Sequence, residues 1–353
     1  MTKILLMADT HAGCRNDNVA FYEYQKKFYD NVLFPFIDKF QIQHVIHLGD
    51  LVDNRRQLNI QTAKRLREDF LEPMAIRSQF RGLNFHIILG NHDTYFKNTN
   101  AVNSLSEILN PEYKFFVYKE PTNVVIEGTE FLMLPWMATA NRDNDLEAIK
   151  NSKAKYCMAH LELKGFEQTK GILARHGDEK EIFSHFKSVF SGHYHIRSNS
   201  DNIHYIGSCF QFNWGDYNDY RGFCVLDISS DGKVTAGYYK NPYDMFVKLT
   251  YEEDVPCEIE RARNAYCRVE VLDKRSESKY NDFINSIHEL GVVDLMVDEK
   301  AKPVVNLETG DIDVGESNTF IIIKQAISSL DYDDKDGLEF FFEDIHREAL
   351  EVS

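Results

Sequence analysis

The chain holds 353 residues, 43% hydrophobic and 13% aromatic, enough for one large domain with a packed core and one or two smaller units. No apolar run reaches the ~18 residues of a membrane-spanning helix, so no such span is expected, and the start of the chain lacks the pattern of a secretory leader. The net charge of −16 argues against a nucleic-acid partner only until it is mapped: residues 276–353 hold 19 acidic and 6 basic residues, leaving 37 and 34 for residues 1–275. The acidity belongs to the tail, and a local cationic patch elsewhere stays open.

In chain order, β-forming apolar runs occur at 4–8, 45–48, 85–89, 115–118, 131–134, 156–159, 189–191, 205–206 and 223–228. Between the early runs lie helical stretches. Residues 19–40 place Phe21, Tyr24, Phe28, Val32, Phe36 and Phe40 at close to a helical period, and residues 61–80 align Leu66, Phe70 and Met74. The order predicts an α/β fold with two sheets packed against each other over residues 1–240. The aromatics of the first helix (Phe21, Tyr22, Tyr24, Phe28 and Tyr29) need burial, against their own sheet or in a homodimer contact over 18–40. Strand patterns at 245–251 and 266–272 and a helical one at 280–290 predict a small α/β capping domain over 241–298. Residues 299–318 read as a linker. Residues 319–353 read as a helical hairpin with a polar connector and three successive phenylalanines, Phe340 to Phe342, which suit a protein partner. The six cysteines form no C-x-x-C pair and are expected to be free thiols in a reducing cytosol.

Five short segments carry the chemistry: Asp9-Thr10-His11, Gly49-Asp50, Gly90-Asn91-His92-Asp93, His160 and Gly192-His193-Tyr194-His195. Most follow an apolar β run, where α/β folds place ligands. They offer carboxylate, amide oxygen and imidazole, and no thiol, which is the ligand set of a two-metal phosphoester site. Asp9 and His11, like His193 and His195, are two apart, so in extended chain each pair points to one face. One metal is assigned to Asp9, His11, Asp50 and His195. The other takes Asp50, Asn91, His160 and His193, with Asp50 bridging. Taken singly, Asp50 reads as a turn residue or helix cap. These donors suit manganese, iron or zinc; manganese is the expected ion, with magnesium as a further alternative. His92 is the candidate proton donor to the leaving oxygen. Asp93 either orients His92 or caps the following turn. Arg15, Arg55, Arg56, Arg197 and Arg221 lie in or near the site loops and are candidate DNA contacts; each reads equally as a salt-bridged surface arginine.

Taken together, these motifs resemble the calcineurin-like metallophosphoesterase superfamily. The resemblance implies a two-sheet sandwich flanked by helices, and its members include phosphatases, nucleotide hydrolases and nucleases. Gly49-Asp50-Leu51-Val52-Asp53-Asn54-Arg55-Arg56 lacks the Asp-Arg-Gly of the protein phosphatases, and Asp93 stands where those enzymes usually carry Glu. Tyr205-Ile206-Gly207-Ser208 and Asp219-Tyr220-Arg221-Gly222-Phe223, the cap and the C-terminal hairpin are similar to the SbcD-type DNA-repair nucleases; total length and acidic tail look closest to their T-even-like phage relatives. That resemblance implies a manganese-dependent 3′→5′ DNA exonuclease and endonuclease in the cytoplasm. It also implies a homodimer bound through 319–353 to a coiled-coil ATPase of the SbcC type. A phosphatase or nucleotide phosphodiesterase of the same superfamily is the competing reading. Many relatives carry a second catalytic His three residues after the bridging Asp; here that position is Asp53. The departure leaves His92 as the main acid–base candidate.

Overall fold

Buried residues alternate along the first strand, Thr2–Met7, so that Leu5 and Met7 face one core and Ile4 and Leu6 another. The structure, a computed structural model, describes residues 2–229 and 233–299, with Ile327, Leu338 and Phe342 beyond them. The linker and hairpin expected over 299–318 and 319–353 lie, but for those three residues and the end of the last strand, outside the described residues.

Two six-stranded sheets form the body. The first runs Val234–Lys240, Gly222–Ile228, Thr2–Met7, His44–His47, Asn84–Ile88, Phe116–Tyr118, and its last four strands are parallel. The second runs Ser198–Ser200, Ile203–Tyr205, Ser188–Gly192, Tyr156–His160, Thr129–Leu134, Thr122–Ile126, with a parallel centre. Ile4, Leu6, Ile46 and Ile88 of one meet Phe131, Met133, Met158 and Phe190 of the other in a closed interlayer core. Each such side chain taken out of water contributes roughly 1.5–3 kcal/mol before entropy is charged. The outer face of the first sheet is covered by two long helical stretches, and that of the second by a helix at Arg142–Asn151.

Each long helical stretch is interrupted. Val19–Phe28 passes through a π turn at Tyr29–Leu33 before Phe34–Phe40, and Ile60–Leu66 through one at Arg67–Leu71 before Glu72–Arg81. In both, a proline (Pro35, Pro73) opens the next segment, where its missing N–H and its ring force the ladder to widen. Phe21, Tyr24, Phe28 and Tyr29 are all buried against the chain's own sheet and the Phe210 and Phe223 region, and the hydroxyl of half-buried Tyr22 donates to Asp69. The expected homodimer contact through 18–40 therefore loses the aromatic excess that suggested it.

A separate three-stranded parallel sheet, Phe246–Glu252, Tyr266–Asp273, Asp294–Glu299, packs Val247, Leu249 and Val269 against Ile287 of a helix at Glu277–Glu289. Its near edge meets the body through Phe246, whose ring contacts Phe21 and Trp214. Among the described residues no helix is long and apolar enough to cross a membrane. All six cysteines are free thiols.

Candidate metal centre

The parallel strands of each sheet end along one edge of the sandwich, and all seven ligand candidates sit at or just past those ends. Thr2–Met7 leads to Asp9 and His11, His44–His47 to Asp50, and Asn84–Ile88 to Asn91. From the other sheet, Tyr156–His160 ends on His160 and Ser188–Gly192 leads to His193 and His195. The chain turns sharply to do this. Asp9, His11, Asp50 and His193 have φ of 52°, 45°, 56° and 88°, the left-handed region, which costs a non-glycine residue roughly 1–2 kcal/mol. Gly90 is required between them: a Cβ there would fall on the backbone nitrogen and carboxylate of Asp50.

The donors converge in two groups. His11 Nε2 lies 3.0 Å from His195 Nε2, and Asp9 completes a cluster with them. Asn91 Oδ1 lies 2.9 Å from both His160 Nε2 and His193 Nδ1. Asp50 Oδ2 stands between the groups, 3.8 Å from His11 Nε2 and 3.4 Å from His160 Nε2. The structure thus brings together all seven residues in the pairing expected from sequence. A hard or borderline divalent cation fits them: Asp9 Oδ2 is buried with no hydrogen-bond partner, and nitrogen and oxygen donors with no thiolate surround it. Backbone contacts orient the rings. His160 Nδ1 donates to the Leu48 carbonyl at 2.7 Å, which leaves Nε2 for an ion.

Burial is the largest influence on most of these groups, and the neighbouring charges sort them. Burial and then the Asp50 carboxylate, set against His160, raise Asp9 to about 6. Burial opposes a charge on His11 and His160, but Asp53, Asp50 and Asp9 around His11, and Asp50 and Asp9 around His160, carry both up to about 9. Asp50 is held well below its usual range despite burial, by His160 and His92 first. His193 and His195 are pushed well down by burial and by the neighbouring His160 and His11. Protons thus sit where divalent cations would sit, and a bound cation would displace them.

His92 closes a third cluster with His11 and Asp50, and its backbone N–H donates to Asp50 Oδ1 at 2.8 Å. Its Nδ1 donates to the Asp53 carbonyl at 2.5 Å, so Nε2 is the ring nitrogen left over. Burial lowers its pKa, which keeps the ring neutral near pH 7. Asp93 does neither of the things its sequence position suggested. It accepts four backbone N–H groups, from Gly90, Asp50, Leu51 and Val52, at 2.9–3.3 Å. It therefore fastens the loop that carries Asp50 and does not orient the His92 ring. Burial and the Asp50 carboxylate push Asp93 up to about 7, against those N–H donors.

The cleft over the two clusters measures about 300 Å³ and admits Arg15, Arg55, His92, Lys97, Trp136 and Phe212 among its lining. The five candidate DNA-contact arginines separate here. Arg55 lines the cleft, half-buried, with Nη1 shielded from water and unpartnered. Arg15 also lines it, its Nε donating to the Phe212 carbonyl at 2.9 Å. Arg56 is exposed and outside the lining. Arg197 is also outside it, its guanidinium stacked on Tyr220 and Tyr238 at 4.3 and 4.5 Å. Arg221 cannot contact DNA as expected: it is 2% exposed, paired with Asp216 and Asp219, and donates to Ser208 Oγ and the His195 carbonyl. It props the loop behind His195 instead.

Two site residues, Trp136 and Phe212, went unread in the sequence, and Asp53 was read only as a departure from the family pattern. Asp53 places a carboxylate oxygen 3.1 Å from His11 Nδ1, although out of line for a hydrogen bond. Trp136 stands 5.3 Å from the His193 ring, and Phe212 lies 5.3 and 5.2 Å from the rings of His11 and His195, so aromatic walls flank both clusters. The position of Trp136, just past Thr129–Leu134, was the available signal, since it matches that of the ligand candidates.

Residues 2–197 match the calcineurin-like phosphoesterase family, a span that holds every ligand candidate. Exonuclease subunit 1 of Enterobacteria phage T4 is 33% identical over 229 residues, 65% of this chain and 66% of that protein; the chain spans just under two thirds of that relative's length. Among solved structures, a protein of unknown function from Aquifex aeolicus shares 15% identity at a TM-score of 0.29, over 57% of this chain and 83% of that one. Purple acid phosphatase PPD1 from yellow lupin seeds shares 12% at 0.40, over 68% of this chain and 51% of that one. Likenesses that low carry no weight for the activity. With the family matched over more than half its length, the chain belongs to the calcineurin-like phosphoesterases.

Proposed function

We propose that this protein is the nuclease subunit of a DNA repair or recombination complex, hydrolysing phosphodiester bonds at DNA ends by two-metal chemistry. The observation that carries the reading is the convergence of Asp9, His11, Asp50, Asn91, His160, His193 and His195 beneath a cleft lined by Arg55, whose Nη1 has no hydrogen-bond partner. Similarity to a phage exonuclease subunit supports DNA as the substrate and a second protein as partner.

Asp9, His11, Asp50 and His195 would hold one ion, and Asp50, Asn91, His160 and His193 the other. Bound there, manganese supplies charge neutralisation at the phosphate and a more acidic water. The protein's own groups do the rest. Arg55 binds a non-bridging phosphate oxygen. His92, neutral at rest, takes on Nε2 the proton lost by the attacking water and delivers it to the leaving oxygen. Exonuclease action from the 3′ end, endonuclease action, a homodimer, and an SbcC-type coiled-coil ATPase held by 319–353 complete the proposal.

The test is degradation of a 3′-labelled duplex with manganese, run beside p-nitrophenyl phosphate. Shortened DNA with His92→Ala lowering the rate by roughly 10²–10⁴-fold is the expected result. Intact DNA with rapid release of p-nitrophenol would replace this reading by the phosphatase one. An unchanged His92→Ala rate would remove the proton-transfer role.

A further inference from the structure

Directly after Asn91-His92-Asp93 the chain forms a short two-stranded ribbon, Thr94–Phe96 against Thr99–Asn103. Its base is rigid. Thr94 is fully buried with its hydroxyl on the Asn91 carbonyl, Asn100 Nδ2 donates to the Trp136 carbonyl, and the Ser104 N–H donates to the Asp93 carbonyl. Its tip is different. Tyr95 and Phe96 are 40% and 47% exposed, and their rings stand 4.7 Å apart.

Consecutive side chains of a regular strand point to opposite faces. These two meet because the register slips between Thr94 and Phe96, an irregularity of the kind that re-aims side chains beside active sites. Two aromatic rings held side by side in water by a rigid base are a surface waiting for flat partners. The next residue, Lys97, lines the metal cleft, so the aromatic pair and the cleft are continuous. From Thr94 to Asn103 the ribbon carries that lysine and no acidic residue, although the chain as a whole has a net charge of −16. A partner with a negative backbone and stackable planar groups fits this combination. More exposed apolar residues such as Ile60 and Phe80 lie on the helical stretch Ile60–Arg81, outside the cleft lining.

We propose that the Tyr95–Phe96 pair is a stacking platform for the unpaired bases of a single-stranded nucleic acid whose backbone enters the metal cleft past Lys97. This rests on the nuclease reading above and adds how the substrate is held: the end of the strand being cut parts from its complement as it enters the cleft.

The experiment uses the full chain, with and without Tyr95→Ala/Phe96→Ala, and fluorescein-labelled oligothymidylate as probe. The double variant is expected to bind the oligonucleotide at least about tenfold more weakly. Manganese-dependent hydrolysis of bis(p-nitrophenyl) phosphate, which reaches the cleft without the ribbon, stays unchanged. Tyr95→Trp retains binding, and its fluorescence is quenched by the oligonucleotide. Equal affinity of wild type and double variant overturns the platform while leaving the nuclease reading intact. So does a parallel loss of diester hydrolysis, or a change of sedimentation coefficient that assigns the rings to a second copy of the chain. A wild type that neither binds nor cuts the oligonucleotide while releasing p-nitrophenol from the monoester overturns both.

Discussion

Asp53 reaches two histidines with two different groups. Its carboxylate faces His11 Nδ1 at 3.1 Å, and its backbone carbonyl takes the His92 Nδ1 proton at 2.5 Å. A carboxylate behind a ligating imidazole fixes ring orientation and raises basicity, and losing one typically costs 10–100-fold in metal affinity. Asp53→Asn keeps the carbonyl and removes the charge, so manganese affinity measured by calorimetry is expected to fall by about that factor. An unchanged affinity would show that His11 needs no such support. In the sequence Asp53 stood out only as a departure from relatives with histidine, because the partner it serves is 42 positions away and meets it only after folding. The same holds for Arg221, whose buried pairing with Asp216 and Asp219 nothing local announces. The ligand candidates were legible for the opposite reason: each follows an apolar run, and their residue types have few other uses in that order.

At the scale of elements, the strands most readily read were those buried on both faces, such as His44–His47 and Tyr156–His160, whose apolar runs are unbroken or nearly so. The ones missed were edges and ribbons. Thr122–Ile126, Val234–Lys240 and Asp294–Glu299 lie at sheet edges with mixed exposure, and Thr99–Asn103 is largely polar. The π turns before Pro35 and Pro73 were equally silent, since a periodic pattern does not record a widened ladder. Two strands also carry a liability. His47 is pushed down to about 3 by burial, despite Asp50, and His86 to about 3 by burial and neighbouring His44. Both are neutral when folded and titrate near 6.5 when unfolded, so between those values the unfolded chain binds the extra protons. Stability from each is intact above about 6.5 and falls toward pH 3 by up to about 1.4 kcal/mol per unit. Urea midpoints at pH 7 and pH 5 should differ accordingly, and His86→Gln should narrow the gap. An equal gap in the variant would mean His86 is not the source.

For the whole molecule, charge divides the chain more sharply than any boundary in the fold, with the acidic excess of residues 276–353 following a nearly neutral body. Removing 319–353 is expected to abolish co-purification with the proposed coiled-coil ATPase partner while manganese binding persists; lost metal binding would make the tail part of the body. A different consequence comes from where the donors hang. Four of the seven belong to the first sheet and three to the second, all along one edge of the interlayer core. Two cations held there would add to the hydrogen bonds that already cross this seam, such as those from His160 Nδ1 to the Leu48 carbonyl and from the His193 N–H to Asp9 Oδ1. Manganese at a hundred times its dissociation constant should therefore add about 2.7 kcal/mol per occupied site to unfolding, visible as a higher melting temperature that a chelator reverses. No shift would mean that the layers hold without the cations. With them, metal supply would bear on how long the folded protein survives as well as on how fast it works.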